Sequence, residues 1–153
     1  LEASAAFSPD DRLLVTTDAR GLQVWNTASW QQIGAVPGVR DCPRFSPDGR
    51  VLAATPRDQR VILMDGQSLE ELCTLEAPQH FATTDIAFGP AGTIVQMTNR
   101  AGLGYIWDLR AIRKRLAELG LDWEHPSFAD SAAPRQASER VDVDLGVLAG
   151  PAP

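Results

Sequence analysis

The chain has 153 residues, 44% of them hydrophobic, enough for one ordinary domain with a core. Its 14 Lys and Arg against 20 Asp and Glu leave a formal charge of −6. That balance argues against sequence-independent nucleic-acid binding, which depends on cations that neutralise phosphates; no apolar run approaches the roughly 20 residues of a membrane-spanning helix, so no nucleic acid and no membrane partner is expected of this segment.

In chain order, three stretches repeat one pattern: AAFSPDDRLLVTTDARGLQVWNTASWQQIGAV, PRFSPDGRVLAATPRDQRVILMDGQSLEELCTL and IAFGPAGTIVQMTNRAGLGYIWDLRAIRKRL. Phe7, Phe45 and Phe88 share one position, and Trp25, Met64 and Trp107 share another, 18, 19 and 19 residues later. Asn26, Asp65 and Asp108 come directly after. Successive Phe positions lie 38 and 43 residues apart, close to the ~40–45 residues of a four-stranded propeller blade.

Each repeat makes local sense as a meander. A short apolar strand ends at the Phe, and Ser-Pro-Asp-Asp, Ser-Pro-Asp-Gly or Gly-Pro-Ala-Gly then makes a turn. Pro presets φ at the second position, and Asp or Gly tolerates the turn conformations after it. A second strand is expected at 13–16, 51–54 and 94–97, apolar on both faces as a strand sandwiched between neighbouring sheets must be. A polar turn at 18–21, 56–58 or 99–102 leads to a third strand at 22–25, 61–64 or 105–107. In the first two repeats a fourth, amphipathic strand comes next, at 31–36 and 71–75. Its mixed polarity suits a half-exposed outer position.

These turns, spaced from the Trp-Asn, Met-Asp and Trp-Asp dipeptides, resemble the WD-repeat family over about residues 4 to 110. The resemblance implies an all-β fold, a partial β-propeller of three blade-like antiparallel sheets with a C-terminal helix and flexible tail. It also implies a His, Ser/Thr, Trp and Asp hydrogen-bond network in each blade, from which this chain departs. No Gly-His pair precedes a strand, and Ala19 and Ala101 stand where the turn Asp is expected. Only Asp58 holds that place, in the repeat where Met64 replaces Trp. The blades are therefore expected to be softer than the family's average.

After Trp107-Asp108 the pattern changes to a helix. Leu109, Ile112, Leu116 and Leu119 recur at helical spacing, Asp108 is the expected N-cap, and Gly120 sits at C′ with Leu121 placed to pack back on Leu116. The third repeat then lacks its own outer strand, which the family's closed propellers often take from the N-terminal end. Since residues 1–5 belong to the first repeat's own strand, the lending strand is expected upstream. Leu1 in place of Met agrees with a fragment or processed product. Residues 106–126, IWDLRAIRKRLAELGLDWEHP, and the later VDVDLGVLAG resemble the propeller ending of planctomycete-type bacterial WD-repeat proteins, many of which carry a serine/threonine kinase. No kinase motif occurs here, and Gly89, Gly92, Gly102 and Gly104 fall in turns that the repeat explains.

Residues 127–153 read as a flexible acidic tail. From Leu121 onward six acidic residues face Arg135 and Arg140, and 141–145 offers a strand that an open edge would pair. The domain plan is blades over 1–108 (about 4–36, 43–75 and 84–108), a helix and cap over 109–126, and the tail.

Chemistry-bearing residues are few. Cys42 and Cys73 lack metal-ligand spacing; two small buried side chains is the favoured reading and a single disulfide the alternative. His80 and His125 stand at no catalytic spacing, His80 being either a degenerate form of the family's Gly-His position or plain surface. Trp30 and Trp123 read as packing anchors, Trp123 over the helix end. Arg110, Arg113, Lys114 and Arg115 read as a solvated helix face opposite the Leu/Ile stripe, with docking to an acidic partner as the alternative. Arg20, Arg57 and Arg100 share the turn between second and third strands, so stacked blades put three cations on one rim, a candidate partner-binding surface. No catalytic, cofactor or metal site is expected. The expected role is a non-enzymatic scaffold binding other proteins, in the cytoplasm unless the parent protein carries an upstream membrane span. The alternative is the sensing or substrate-recruiting C-terminus of a bacterial serine/threonine kinase.

Overall fold

The computed structural model describes residues 4–56, 60–79, 81–89, 92–99 and 103–123. Asp58, His80, Ala101, His125 and the tail, including 141–145, lie outside the described residues.

Three antiparallel meanders succeed one another. The first holds β1 (Ala5–Phe7), β2 (Leu13–Thr17), β3 (Gly21–Asn26) and β4 (Gln31–Pro37). The second holds β5 (Val39–Phe45), β6 (Val51–Pro56), β7 (Val61–Asp65) and β8 (Glu71–Leu75). The third has β9 (Thr83–Phe88), β10 (Thr93–Thr98) and β11 (Gly104–Asp108), after which the chain turns into α1 (Leu109–Glu118). The first strands meet, β1 with β5 and β5 with β9, so they line the inside of an arc of three propeller blades.

The Phe-to-Trp spacing is a statement of strand register. Phe7 lies opposite Leu14, and Leu14 opposite Trp25. Phe45, Leu52 and Met64 form the same row in the second sheet, and Phe88, Ile94 and Trp107 in the third. Residues in one row share a face, because neighbours in register point the same way.

The turns that set this register repeat in detail. Ser8 Oγ donates to Asp10 Oδ1 at 2.6 Å and accepts from the Leu13 amide at 2.9 Å; Ser46, Asp48 and Val51 repeat both distances. The Ser8 hydroxyl holds the Asp10 carboxyl below its ordinary pKa. The left-handed position of this turn is Gly49 (φ +72) in the second repeat and Gly92 (φ +75) in the third, while Asp11 adopts φ +58 in the first. Asp is among the few residues that bear this conformation at modest cost.

A second device recurs at the end of each third strand. Asn26 Oδ1 accepts from the amides of Ala28 and Ser29, Asp65 Oδ1 from Gln67 and Ser68, and Asp108 Oδ1 from Arg110 and Ala111, all between 2.7 and 3.2 Å. Each opens one helical turn. In the first two repeats the turn stops at Trp30 or Leu69, both at positive φ, and an outer strand begins. In the third it continues as α1. That helix ends as expected: the Gly120 amide bonds the Ala117 carbonyl (3.0 Å) and the Leu121 amide the Leu116 carbonyl (2.9 Å), with Gly120 at φ +70. Leu119 and Leu121 are exposed, so the apolar stripe covers only Leu109, Ile112 and Leu116.

Candidate functional site

Two interfaces hold the arc together. Between the first and second sheets, Val15, Leu22 and Val24 meet Leu52, Ala54 and Met64, with Phe45 and Leu69 half-buried around them. Between the second and third, Val51, Ala53, Val61, Leu63 and Leu75 meet Ile86 and Ile94, flanked by Phe88 and Trp107 and capped by Leu109 and Ile112 of the helix. Only the middle sheet is covered on both sides. Its central strand β6 is buried at five consecutive residues from Val51 to Thr55, whereas β2 and β10 alternate.

Two apolar faces therefore remain open, and equivalent positions measure them. Val24 and Leu63 are 1% and 0% exposed, while Ile106, the same position in the third sheet, is 74% exposed beside Met97 and the half-buried Val95. At the other end Phe7 is 56% exposed, whereas Phe45 and Phe88 pack into the interfaces. Phe7 thus differs from Phe45 and Phe88, which share its position in the repeat, because no described sheet lies on its side. A fully buried Ile or Phe gains about 1.5–3 kcal/mol over an exposed one, so both faces forgo that stabilisation for lack of a covering sheet. They are the most prominent unsatisfied surfaces among the described residues.

The other expected positions are distributed around this frame. Trp25 is half-buried and donates from Nε1 to Thr16 Oγ1 at 3.0 Å. Trp107 donates to Gln96 Oε1 (3.1 Å), and Gln96 Nε2 passes the chain on to Thr83 Oγ1 (2.8 Å). Met64 is buried with no such bond to make. The turn before Trp25 is held by Asp18, one residue earlier than the family position, which accepts from the amides of Arg20 (2.7 Å) and Gly21 (3.3 Å) and from Gln23 Nε2 (2.9 Å). Asp108 is the helix cap. Arg20 stands exposed at its turn; Arg57 and Arg100 lie outside the described residues. Inside the arc, Arg44 bonds Asp85 at 2.7 Å, tying β5 to β9, an exposed pair that contributes little.

Two expectations are corrected. Arg113 is not on a solvated face: its guanidinium makes a bidentate pair with Asp122 (2.9 and 2.9 Å), bonds the Trp123 carbonyl and lies 5.0 Å from the Trp123 ring centroid. The helix turns that residue inward, and Asp122 satisfies it there. Trp123 does cover the helix end. Trp30, by contrast, is 62% exposed and belongs to neither core cluster of the described residues. Cys42 and Cys73 are free thiols, both pushed up by burial, Cys73 to about 11; such thiols are poor nucleophiles at neutral pH. Among the described residues, no group of three or more His, Cys, Asp or Glu is placed to hold a metal ion, and no helix is long and apolar enough to cross a membrane.

No family model and no curated protein matches the sequence. Solved structures do. The WD40 repeats of RRP9 superpose with a TM-score of 0.61 at 19% identity, over 69% of this chain and 34% of that one. U3-55K gives 0.61 at 18% identity, over 69% and 35%. Dihydro-heme d1 dehydrogenase NirN gives 0.55 at 18% identity, over 67% and 24%. The fold is that of a WD40-type β-propeller, represented here by three blades. The chain spans about a third of the length of the first two structures it matches.

Leu63→Ala removes a side chain locked between sheets and should cost about 2–5 kcal/mol, whereas Ile106→Ala, at the same blade position, should stay within about 0.5 kcal/mol; urea unfolding of both variants measures the contrast. Arg113→Met should cost about 2 kcal/mol at pH 7. Because the Arg113 hydrogen bonds hold the Asp122 carboxyl below its ordinary value, this difference is present above pH ~4. It fades as the pH falls through the lowered folded-state value, which unfolding at a series of pH values would show.

Proposed function

We propose that this chain is a non-enzymatic protein-interaction scaffold, forming the C-terminal blades of a larger WD-repeat propeller. The observation that supports it is the exposure of Ile106 and Phe7 at positions that are buried wherever a neighbouring blade exists. Propellers use roughly 4–8 blades because closure covers such faces and edges. The missing upstream blades of the same polypeptide are its first partners, and other proteins bound on the completed ring are the second. A dehydrogenase is among the proteins that share this architecture, so the scaffold reading rests on likeness to WD40 repeat structures, a fold that hosts many functions.

The basic rim belongs to this proposal. Arg20, Arg57 and Arg100 fall at the same turn of three consecutive blades, where they would recognise an acidic partner surface. A second reading, the non-catalytic C-terminus of a bacterial serine/threonine kinase, is favoured by the resemblance of residues 106–126 to the propeller ending of such proteins. The upstream reading frame separates the two: kinase motifs ahead of the repeats select the second, and further repeats alone select the first.

The 153-residue chain by itself should self-associate or aggregate through its two open faces. Light scattering and thermal unfolding test this; a monomer that melts cooperatively would overturn the larger-ring reading. Replacing Arg20, Arg57 and Arg100 together by Ala should reduce retention on an immobilised polyglutamate probe at low salt, and unchanged retention would remove the rim from the proposal.

A further inference from the structure

The residue four positions after the cap at the end of each third strand is Trp30, Leu69 and Ile112. Leu69 shows what a residue at this position does. Leu69, at φ +63 with its amide on the Asp65 carbonyl, lies against the outer strand of the preceding blade. It meets that strand at Gly34, where an added Cβ would come within 2.7 Å of Leu69 Cδ1. Ile112 packs against the core between the second and third sheets. The second blade thus sends one apolar plug from this turn onto the outer strand of the blade before it.

Trp30 has the same turn, with φ +55 and its amide on the Asn26 carbonyl at 2.7 Å, and nothing to plug. A left-handed conformation at a bulky residue costs about 1–2 kcal/mol, and an exposed indole returns none of it. We propose that Trp30 is a preformed lock for a preceding four-stranded blade, its indole seated on a residue with no side chain, glycine, in that blade's outer strand. This rests on the reading of the chain as part of a larger ring and adds which residue makes the junction and what it requires opposite. A second copy of this chain does not fit. Its free face is that of the third sheet, which among the described residues has three strands and no outer strand to receive the indole.

The test uses Trp30→Cys, labelled with N-ethylmaleimide, in the 153-residue chain and in the parent polypeptide that includes the upstream reading frame. Cys42, buried, and Cys73, half-buried, both with raised pKa values, give a slow background. Residue 30 should label rapidly in the short chain and lose that reactivity in the parent, where Trp30→Ala, which keeps the left-handed backbone cost, should also lower Tm by roughly 3 °C or more. Rapid labelling in the parent overturns the lock. If Phe7→Ser still destabilises the parent in that case, the larger ring stands and only the role of Trp30 falls; if Phe7→Ser has no effect either, both fall. Shielding of residue 30 already in the short chain identifies a second copy as the occupant and overturns the proposal, as does a parent with no blade upstream.

Discussion

A β-sheet that is apolar on both faces has to be covered on both, and every other feature of this chain depends on how far that cover extends. The second sheet, flanked on each side, buries five consecutive residues of β6. Its neighbours have the same plan and bury only the side that faces it. The row of Phe, aliphatic and Trp or Met is what each blade offers to the one before it. Burial of several such side chains at about 1.5–3 kcal/mol each outweighs the polar network as a source of cohesion. Met64 shows this directly: it has no indole N–H to bond, and it is the most deeply buried of the three residues at its position.

The end of the third strand is the point at which the chain chooses between two continuations of one beginning. The same Asx cap opens a helical turn in all three repeats. In two of them a residue at positive φ stops it and a polar outer strand begins. In the third, good helix formers with an apolar stripe carry it on for ten residues. The helix sets Leu109 and Ile112 against the core between the second and third sheets, and the Arg113–Asp122 pair with Trp123 closes its far end. What would have been the outer strand of the third blade becomes a cap on the interface behind it.

The functional consequence is architectural. On the reading proposed above, the two open faces, one at each end of the arc, meet further blades, and the exposed turns along its rims are where partners of the completed ring would meet it. The two free thiols, Cys42 buried and Cys73 half-buried, and the hydrogen-bonded carboxylates of the turns serve the fold.

Much of this was legible in the residues. Three repeats, their strands, the Ser-Pro-Asp turns, the Asp108 cap and the Gly120 ending are encoded locally, because register, turn conformation and helix caps depend on residues within a few positions of each other. The tertiary structure alone decided which faces are covered. Phe7 and Phe45, Val24 and Ile106, Trp30 and Leu69 are pairs alike in local context and unlike in burial, since cover is supplied by another sheet. The inward turn of Arg113 was hidden for the same reason: a cation in a basic run reads as solvated until the partner nine residues on, Asp122, is seen folded back against it.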